Sequence, residues 1–216
     1  MSTKQFRILA SLSCILSVVM LIVSFVINPG PPPHATAAQL IAFGTQYHNA
    51  ILLGAWLQAI SAPLIILFAI ALVFLAGATM RFSGWATLFG GLILVMVSLI
   101  EVVFYIGALG NPALTGPVSF DLIHVVQHLY SMIAAPIIFL PLAAVLLGSQ
   151  VLPRVFGYAA LVLGVAFAIL GGVVLFAPIQ DIVNFLAFTQ GLWWLFAAIV
   201  LLVRPGKVAE VASTAI

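Results

Sequence analysis

Six long apolar runs constrain the fold of this chain more than any other feature of its sequence. Each run is long enough to cross the ~30 Å hydrocarbon core of a bilayer as a helix of about 20 residues. The runs cover roughly 6–28, 48–77, 84–109, 119–148, 155–177 and 182–203. Only 5% of the 216 residues are charged, whereas a soluble domain carries about 25%. The sequence therefore predicts an all-α integral membrane protein, a single transmembrane domain over residues 1–216 that folds as a six-helix bundle.

The segment between the first two runs has a character of its own. The first run resembles the apolar region of a secretory signal but is longer than the ~7–15 residues of such a region, so we expect an uncleaved span. Residues 28–33, which follow it, contain too many prolines for a helix. Residues 37–47 then place Leu40, Phe43 and Tyr47 on one helical face. We expect this stretch to lie along the membrane interface as a short helix.

The basic residues predict the orientation of the bundle. With six spans, all of them fall on one side of the membrane: Lys4, Arg7, Arg81, Arg154, Arg204 and Lys207. Because short cytoplasmic loops are enriched in Lys and Arg, this side is expected to be the cytoplasm, with both termini there. The net charge of +2 is spread over span ends instead of forming a basic patch, which argues against nucleic-acid binding.

An internal repeat is also visible. An ungapped shift that aligns Pro63 with Pro136 also aligns the turn 81–86 with the turn 154–159, and both turns read Arg-x-x-Gly-aromatic-Ala. The sequence thus predicts a parallel repeat of two helical hairpins, spans 2 and 3 on spans 4 and 5. Parallel repeats of this kind occur in several transporter folds.

Polar residues inside the spans are the candidates for function, since burying them in hydrocarbon is costly. Glu101 lies about 12 Å below the outer surface in the third span, and His128 about 13 Å below it in the fourth. Gln58 and Gln190 fall at similar depths in spans 2 and 6. We predict an outward-facing polar pocket lined by Gln58, Glu101, Tyr105, His124, Gln127 and His128, with His48 and Asp121 at its mouth. Pro63, Pro136 and Pro141 would free backbone carbonyls near this level.

Two other interpretations of the polar layer stay open. Buried polar side chains in membrane bundles often bond to one another and fix the packing of the helices. His124, His128 and Glu101 are also ligand types that suit zinc, iron or copper, and haem ligation by histidine is a further possibility. The residues alone do not identify a cofactor. The single cysteine, Cys14, allows neither an intrachain disulfide nor a cysteine metal cluster.

The second half of the chain resembles a known group of proteins. It contains Leu-Pro-Arg-Val-Phe-Gly at 152–157, then a Gly-rich span, then Leu-Trp-Trp-Leu at 192–195. In these elements it is similar to a broad group of uncharacterised bacterial multi-span membrane proteins. The resemblance implies a helical bundle in the bacterial inner membrane with no assigned activity, so no catalytic residues can be carried over from it.

From these observations we expect a membrane protein that binds or transports a small molecule or ion through the polar pocket. The alternatives are a structural or accessory subunit that acts by protein contacts, and a metal- or haem-binding protein. No nucleophile elbow, Ser-x-x-Lys pair or phosphate-binding Gly loop is present, so enzyme chemistry is not expected. The lipid bilayer is the expected partner, together with a second membrane protein or another copy of the chain.

Overall fold

The computed structural model describes residues 3–28, 30–32, 35–177 and 179–203. This part of the chain is all-helical, without strands. Six helices are long and apolar enough to cross a membrane: span 1, Thr3–Ile27; span 2, His48–Leu75; span 3, Phe82–Gly110; span 4, Gly116–Leu147; span 5, Arg154–Val173; and span 6, Gln180–Val203. A seventh helix, Ala37–Gln46, connects spans 1 and 2 and is called the short helix here.

The predicted class of six membrane-spanning helices is confirmed. The largest shift of a boundary is at the end of span 5, which lies at Val173 instead of near residue 177. Two glycines in its last turn, Gly171 and Gly172, weaken the helix there. Arg204 and Lys207, which were used to predict the orientation, lie outside the described residues.

The six spans form a closed ring. Each span packs against the next one along the chain, and span 6 packs against span 1. The short helix packs across the ends of spans 2, 3 and 4. We call this end of the bundle the capped end, and the opposite end, where Arg81 and Arg154 lie, the arginine end.

Serine hydroxyl groups connect span 1 to span 2. Ser17 Oγ donates to the carbonyl oxygen of Ser61 at 2.6 Å, and Ser24 Oγ donates to that of Gly54 at 2.8 Å. A Cβ added at Gly54 would come within 2.7 Å of the Asn28 Cβ. Small residues thus let the two backbones approach closely, as is common where membrane helices pack.

Aromatic rings fill the bundle toward the arginine end. Trp194 is 1% exposed, and its ring packs against Trp193 at 4.8 Å, Phe139 at 5.3 Å and Phe68 at 6.2 Å between centroids. The Trp193 Nε1 donates to the carbonyl oxygen of Phe156 at 3.1 Å. This half of the interior is therefore a packed apolar core.

The short helix closes the other end. Thr36 and Gln39 form a capping box at its start. Leu40 and Phe43, predicted to share one helical face, are both buried, and the Phe43 ring meets Phe120 edge to face at 5.6 Å. Tyr47, predicted to lie on the same face, is 36% exposed, because the chain leaves the helix at this residue to start span 2.

A buried carboxylate and amide cluster as the candidate functional site

Glu101 of span 3 lies at the centre of a polar cluster. Its Oε2 accepts a hydrogen bond from Gln58 Nε2 of span 2 at 2.6 Å. Its Oε1 accepts one from Gln127 Nε2 of span 4 at 3.1 Å. The carboxyl group therefore connects three neighbouring spans through two amides, and we call Gln58, Glu101 and Gln127 the carboxyl cluster.

The cluster lies well inside the bundle. Gln58 and Gln127 are about 15 Å along their helices from the capped end, and Glu101 is about 13 Å from it, at 1.5 Å per residue. Gln58 is 6% exposed. The sequence predicts similar depths for Gln58 and Glu101 and includes Gln127 in the same pocket lining, and the structure brings both amides into hydrogen bonds with Glu101.

A second polar pair lies in the same layer. Gln190 of span 6 donates through Nε2 to the hydroxyl of Tyr130 in span 4. Gln190 is 5% exposed, and its Oε1 has no hydrogen-bond partner within the described chain. The Glu101 carboxyl group lies in the neighbourhood of this pair. Tyr130 was not predicted, although its spacing of three residues from Gln127 puts both on one helical face.

The backbone of span 4 changes at this level. Residues Tyr130–Ala134 form a π-helix, in which the Ala135 N–H bonds to the Tyr130 carbonyl. Pro136 follows directly, and a wider turn relieves the clash of its ring with the preceding backbone. The Ser131 hydroxyl donates to the carbonyls of Gln127 and His128, at 3.3 and 3.0 Å. Single π turns in α-helices are frequent at functional sites.

A glycine of span 5 supports the π-helix. A Cβ added at Gly171 would come within 2.7 Å of the Ser131 carbonyl carbon and oxygen and 2.8 Å of the Met132 nitrogen. Span 5 therefore packs with its backbone directly on the irregular turn. This contact holds the part of span 4 that carries Gln127 and Tyr130.

Tyr105 and Asn28 extend the polar layer toward span 1. Tyr105 is 4% exposed and Asn28 is 8% exposed. The Asn28 side chain lies near the Tyr105 hydroxyl. From the sequence, Asn28 is only the first residue of the proline-rich break. Nothing in the sequence predicts that the end of span 1 brings Asn28 against span 2.

The predicted histidines lie beside the cluster and not within its hydrogen bonds. His124 and His128 are partly buried, and His128 Nδ1 has no hydrogen-bond partner among the described residues. The neighbouring Gln127 takes the place next to Glu101. Over the described ranges, no group of three or more His, Cys, Asp or Glu side chains is arranged to hold a metal ion. His48 and Asp121, the predicted pocket mouth, are exposed.

Apolar side chains separate the carboxyl cluster from the capped end. Leu40 and Phe43 of the short helix form one buried group with Ile51, Tyr105 and Phe120. A solute coming from this end would have to displace these side chains. A depression of about 490 Å³ at the capped end is lined by the proline-rich segment and the short helix, not by the cluster.

Fold and site together define the class of this protein: a multi-pass helical membrane protein with a carboxyl group buried between amides at the centre of its bundle. No family model, no curated protein and no solved structure matches the chain.

Proposed function

We propose that this protein binds a proton or a small monovalent cation at Glu101 within the membrane. The observation that carries the proposal is that both carboxyl oxygens of Glu101 are engaged by neutral amides, Gln58 and Gln127. Within the described chain, no Lys, Arg or His side chain forms an ion pair or hydrogen bond with this carboxyl group. Its charge therefore needs a partner that the described residues do not supply.

Electrostatics makes a proton or cation the natural partner. An ionised carboxylate at this depth is costly, and two amide donors compensate only part of the loss of water. Binding a proton or a cation removes the net charge. A glutamine amide suits both states of the carboxyl group, because it donates through its nitrogen and, after rotation, accepts through its oxygen.

Span 4 offers a path for such an ion. On the same helix, His124 precedes Gln127 and His128 follows it. The two histidines are one turn apart and partly buried. Asp121, one turn further, is exposed at the capped end. Histidine carries protons readily near neutral pH. We propose that exchange between Glu101 and the solution runs along this part of span 4.

We further propose that the arginine end faces the cytoplasm of a bacterial cell. The support is the charge bias: Lys4, Arg7, Arg81 and Arg154 are at this end, and the sequence places no Lys or Arg at the capped end. The resemblance to bacterial multi-span membrane proteins agrees with an inner-membrane location.

We also keep the internal repeat as a proposal. In its support, the equivalent glycines Gly91 and Gly164 each pack closely against an apolar side chain of the preceding span. A Cβ added at Gly91 of span 3 would lie 3.1 Å from Ile66 of span 2. A Cβ added at Gly164 of span 5 would lie 2.8 Å from Leu140 of span 4.

A structural role is the second candidate. It is favoured by the hydrogen bonds themselves, which join spans 2, 3 and 4 and so fix their packing. A purely structural cluster does not need to exchange ions. The two functions therefore differ in whether the state of Glu101 responds to pH or to cations.

Labelling with a hydrophobic carbodiimide tests the proposal, since this reagent attacks protonated carboxyl groups in apolar surroundings. We expect adduct formation at Glu101 in reconstituted protein, detected by peptide mass spectrometry. If the site binds protons, labelling slows as the pH rises. If it binds a cation, labelling slows with added Na⁺ or K⁺ at constant pH. Asp181→Asn is the matched control, because it removes an exposed carboxyl of span 6, outside the proposed path, and should leave this labelling unchanged.

The stability of Glu101→Gln completes the test. Glutamine has nearly the same shape, so the variant should fold, but its unfolding should no longer respond to pH or cations through this site. If Glu101 in the native protein resists labelling, and if wild type and Glu101→Gln respond identically to pH and to Na⁺ and K⁺, the ion-binding proposal is wrong and the structural role stands.

A further inference from the structure

A groove opens between spans 3 and 4 at the arginine end, away from the carboxyl cluster. It encloses about 440 Å³ and is almost wholly apolar. Phe82, Ala86 and Phe89 line it from span 3, and Ile137, Leu140 and Ala144 line it from span 4. Phe82 is 89% exposed and Phe89 is 61% exposed. The groove therefore opens on the outer surface of the ring, where the lipid is.

The shape of the groove follows from small residues and prolines. At its deep end the two helices nearly touch, because a Cβ added at Gly90 would overlap the Ile137 carbonyl oxygen. Toward the arginine end, alanines at 86 and 144 leave space between the larger side chains. Pro141 also lines the groove, and without an N–H it cannot donate to the Ile137 carbonyl on that side.

The length of the groove matches one lipid leaflet. Phe89 lies seven residues after Phe82, and Ala144 lies seven residues after Ile137, which is about 10 Å of helix in each case. Half of the hydrocarbon core is about 15 Å. The groove thus runs from the membrane surface over most of one leaflet, parallel to the direction of an acyl chain.

A cation lies at the surface end of the groove. Arg81, which precedes Phe82, is exposed, and its Nη1 would be 3.7 Å from a Cβ added at Gly148 at the end of span 4. Within the described part of the chain its guanidinium has neither a hydrogen bond nor an ion pair. The acidic residues that the structure describes are elsewhere, with Glu101 mid-span and Asp121 and Asp181 near the capped end.

We propose that this groove binds one acyl chain of an anionic phospholipid whose phosphate pairs with Arg81. Apolar fit alone gives little selectivity inside a bilayer, since lipid tails are as apolar as the groove. The charge of the headgroup supplies the selectivity, because guanidinium pairs bidentately with phosphate oxygens. Zwitterionic lipids also carry a phosphate, but their own ammonium group competes for it.

The chain contains a matched control for this proposal. Arg154 begins span 5 in the same Arg-x-x-Gly-aromatic-Ala sequence, is also exposed, and does not line the groove. Arg81→Gln and Arg154→Gln therefore remove the same charge from the same end of the protein. A third variant, Ala86→Phe, fills the groove and keeps Arg81.

Native mass spectrometry of the full-length protein released from nanodiscs measures the result. The nanodiscs contain equal parts of phosphatidylglycerol and phosphatidylcholine. We expect wild type to retain phosphatidylglycerol preferentially and Arg81→Gln to retain it about fivefold less, which corresponds to the ~1 kcal/mol that one Arg contributes near an anionic surface. Arg154→Gln should keep the preference, and Ala86→Phe should lose it.

Two results would overturn the proposal. One is an equal loss in Arg81→Gln and Arg154→Gln, which would mean that the basic end attracts anionic lipid without a site. The other is unchanged retention in Ala86→Phe, which would mean that the acyl chain does not lie in the groove. Tryptophan fluorescence shows whether each variant is folded, and Ala86→Leu replaces Ala86→Phe if the larger ring prevents folding.

Discussion

Replacing Gly171 by alanine should destabilise the bundle through a single methyl group. The added Cβ would lie 2.7 Å from the Ser131 carbonyl carbon and 2.8 Å from the Met132 nitrogen. This is roughly 1 Å shorter than the 3.5–4.0 Å at which non-bonded carbon atoms attract. Because the opposing atoms are backbone atoms held by the π-helix, they have no rotamer by which to yield. We expect a loss of about 1–3 kcal/mol, the usual cost of overpacking a core.

The neighbouring glycine is the control for this substitution. A Cβ added at Gly172 meets no atom within 4 Å, so Gly172→Ala should be neutral or stabilise the helix by about 0.5–1 kcal/mol. Both variants are unfolded reversibly in mixed micelles with increasing detergent denaturant, and tryptophan fluorescence gives the free energy of unfolding. Equal stabilities for Gly171→Ala and Gly172→Ala would refute the close backbone packing of span 5 on the π-helix.

Two further substitutions test the polar layer and its cover. Gln127→Leu leaves Glu101 Oε1 without its donor and should lower the free energy of unfolding by about 1–3 kcal/mol, whereas Gln46→Leu at an exposed position should change it little in the same titration. Phe43→Ala removes the ring that packs on Phe120 and should speed amide hydrogen exchange across Ala37–Gln46. If the short helix exchanges as slowly in Phe43→Ala as in the exposed-site control Thr45→Ala, the Phe43 ring does not hold this helix in place.

The number of helices and the polar layer were accessible from sequence because each rests on a local property. Apolar runs between breakers gave all six spans, since the bilayer requires a minimum length of continuous helix. The depth of Glu101 followed from counting residues along one helix. The contacts of Glu101 could not be predicted in this way. Gln127 and His128 differ by about 100° around span 4, and only the packing of the spans decides which of them meets Glu101.

The irregular backbone of span 4 was the other feature that could not be predicted from the sequence. Prolines in span 4 predicted free carbonyls, and we expected these to help form the pocket. The structure instead places a glycine backbone against the carbonyls concerned: Gly171 lies on Ser131, and Gly90 lies on Ile137. This pairing depends on two residues that are far apart in the chain. Neither residue carries a signal by itself, since glycine is also common in membrane helices for packing alone.

Two prolines of span 4, each with a glycine of a neighbouring span packed on the carbonyl that it leaves free, explain why an irregular helix persists in the middle of this bundle. Pro141 cannot donate to the Ile137 carbonyl, and Pro136 cannot donate to the Ser131 carbonyl across a π turn. In hydrocarbon such carbonyls cost several kcal/mol unless protein covers them. Spans 3 and 5 each bring a glycine Cα against one of them, where weak Cα–H contacts to oxygen are possible. Protein backbone thus covers the irregular part of span 4 on two sides. The side that carries Gln127 and Tyr130 faces the carboxyl group of Glu101.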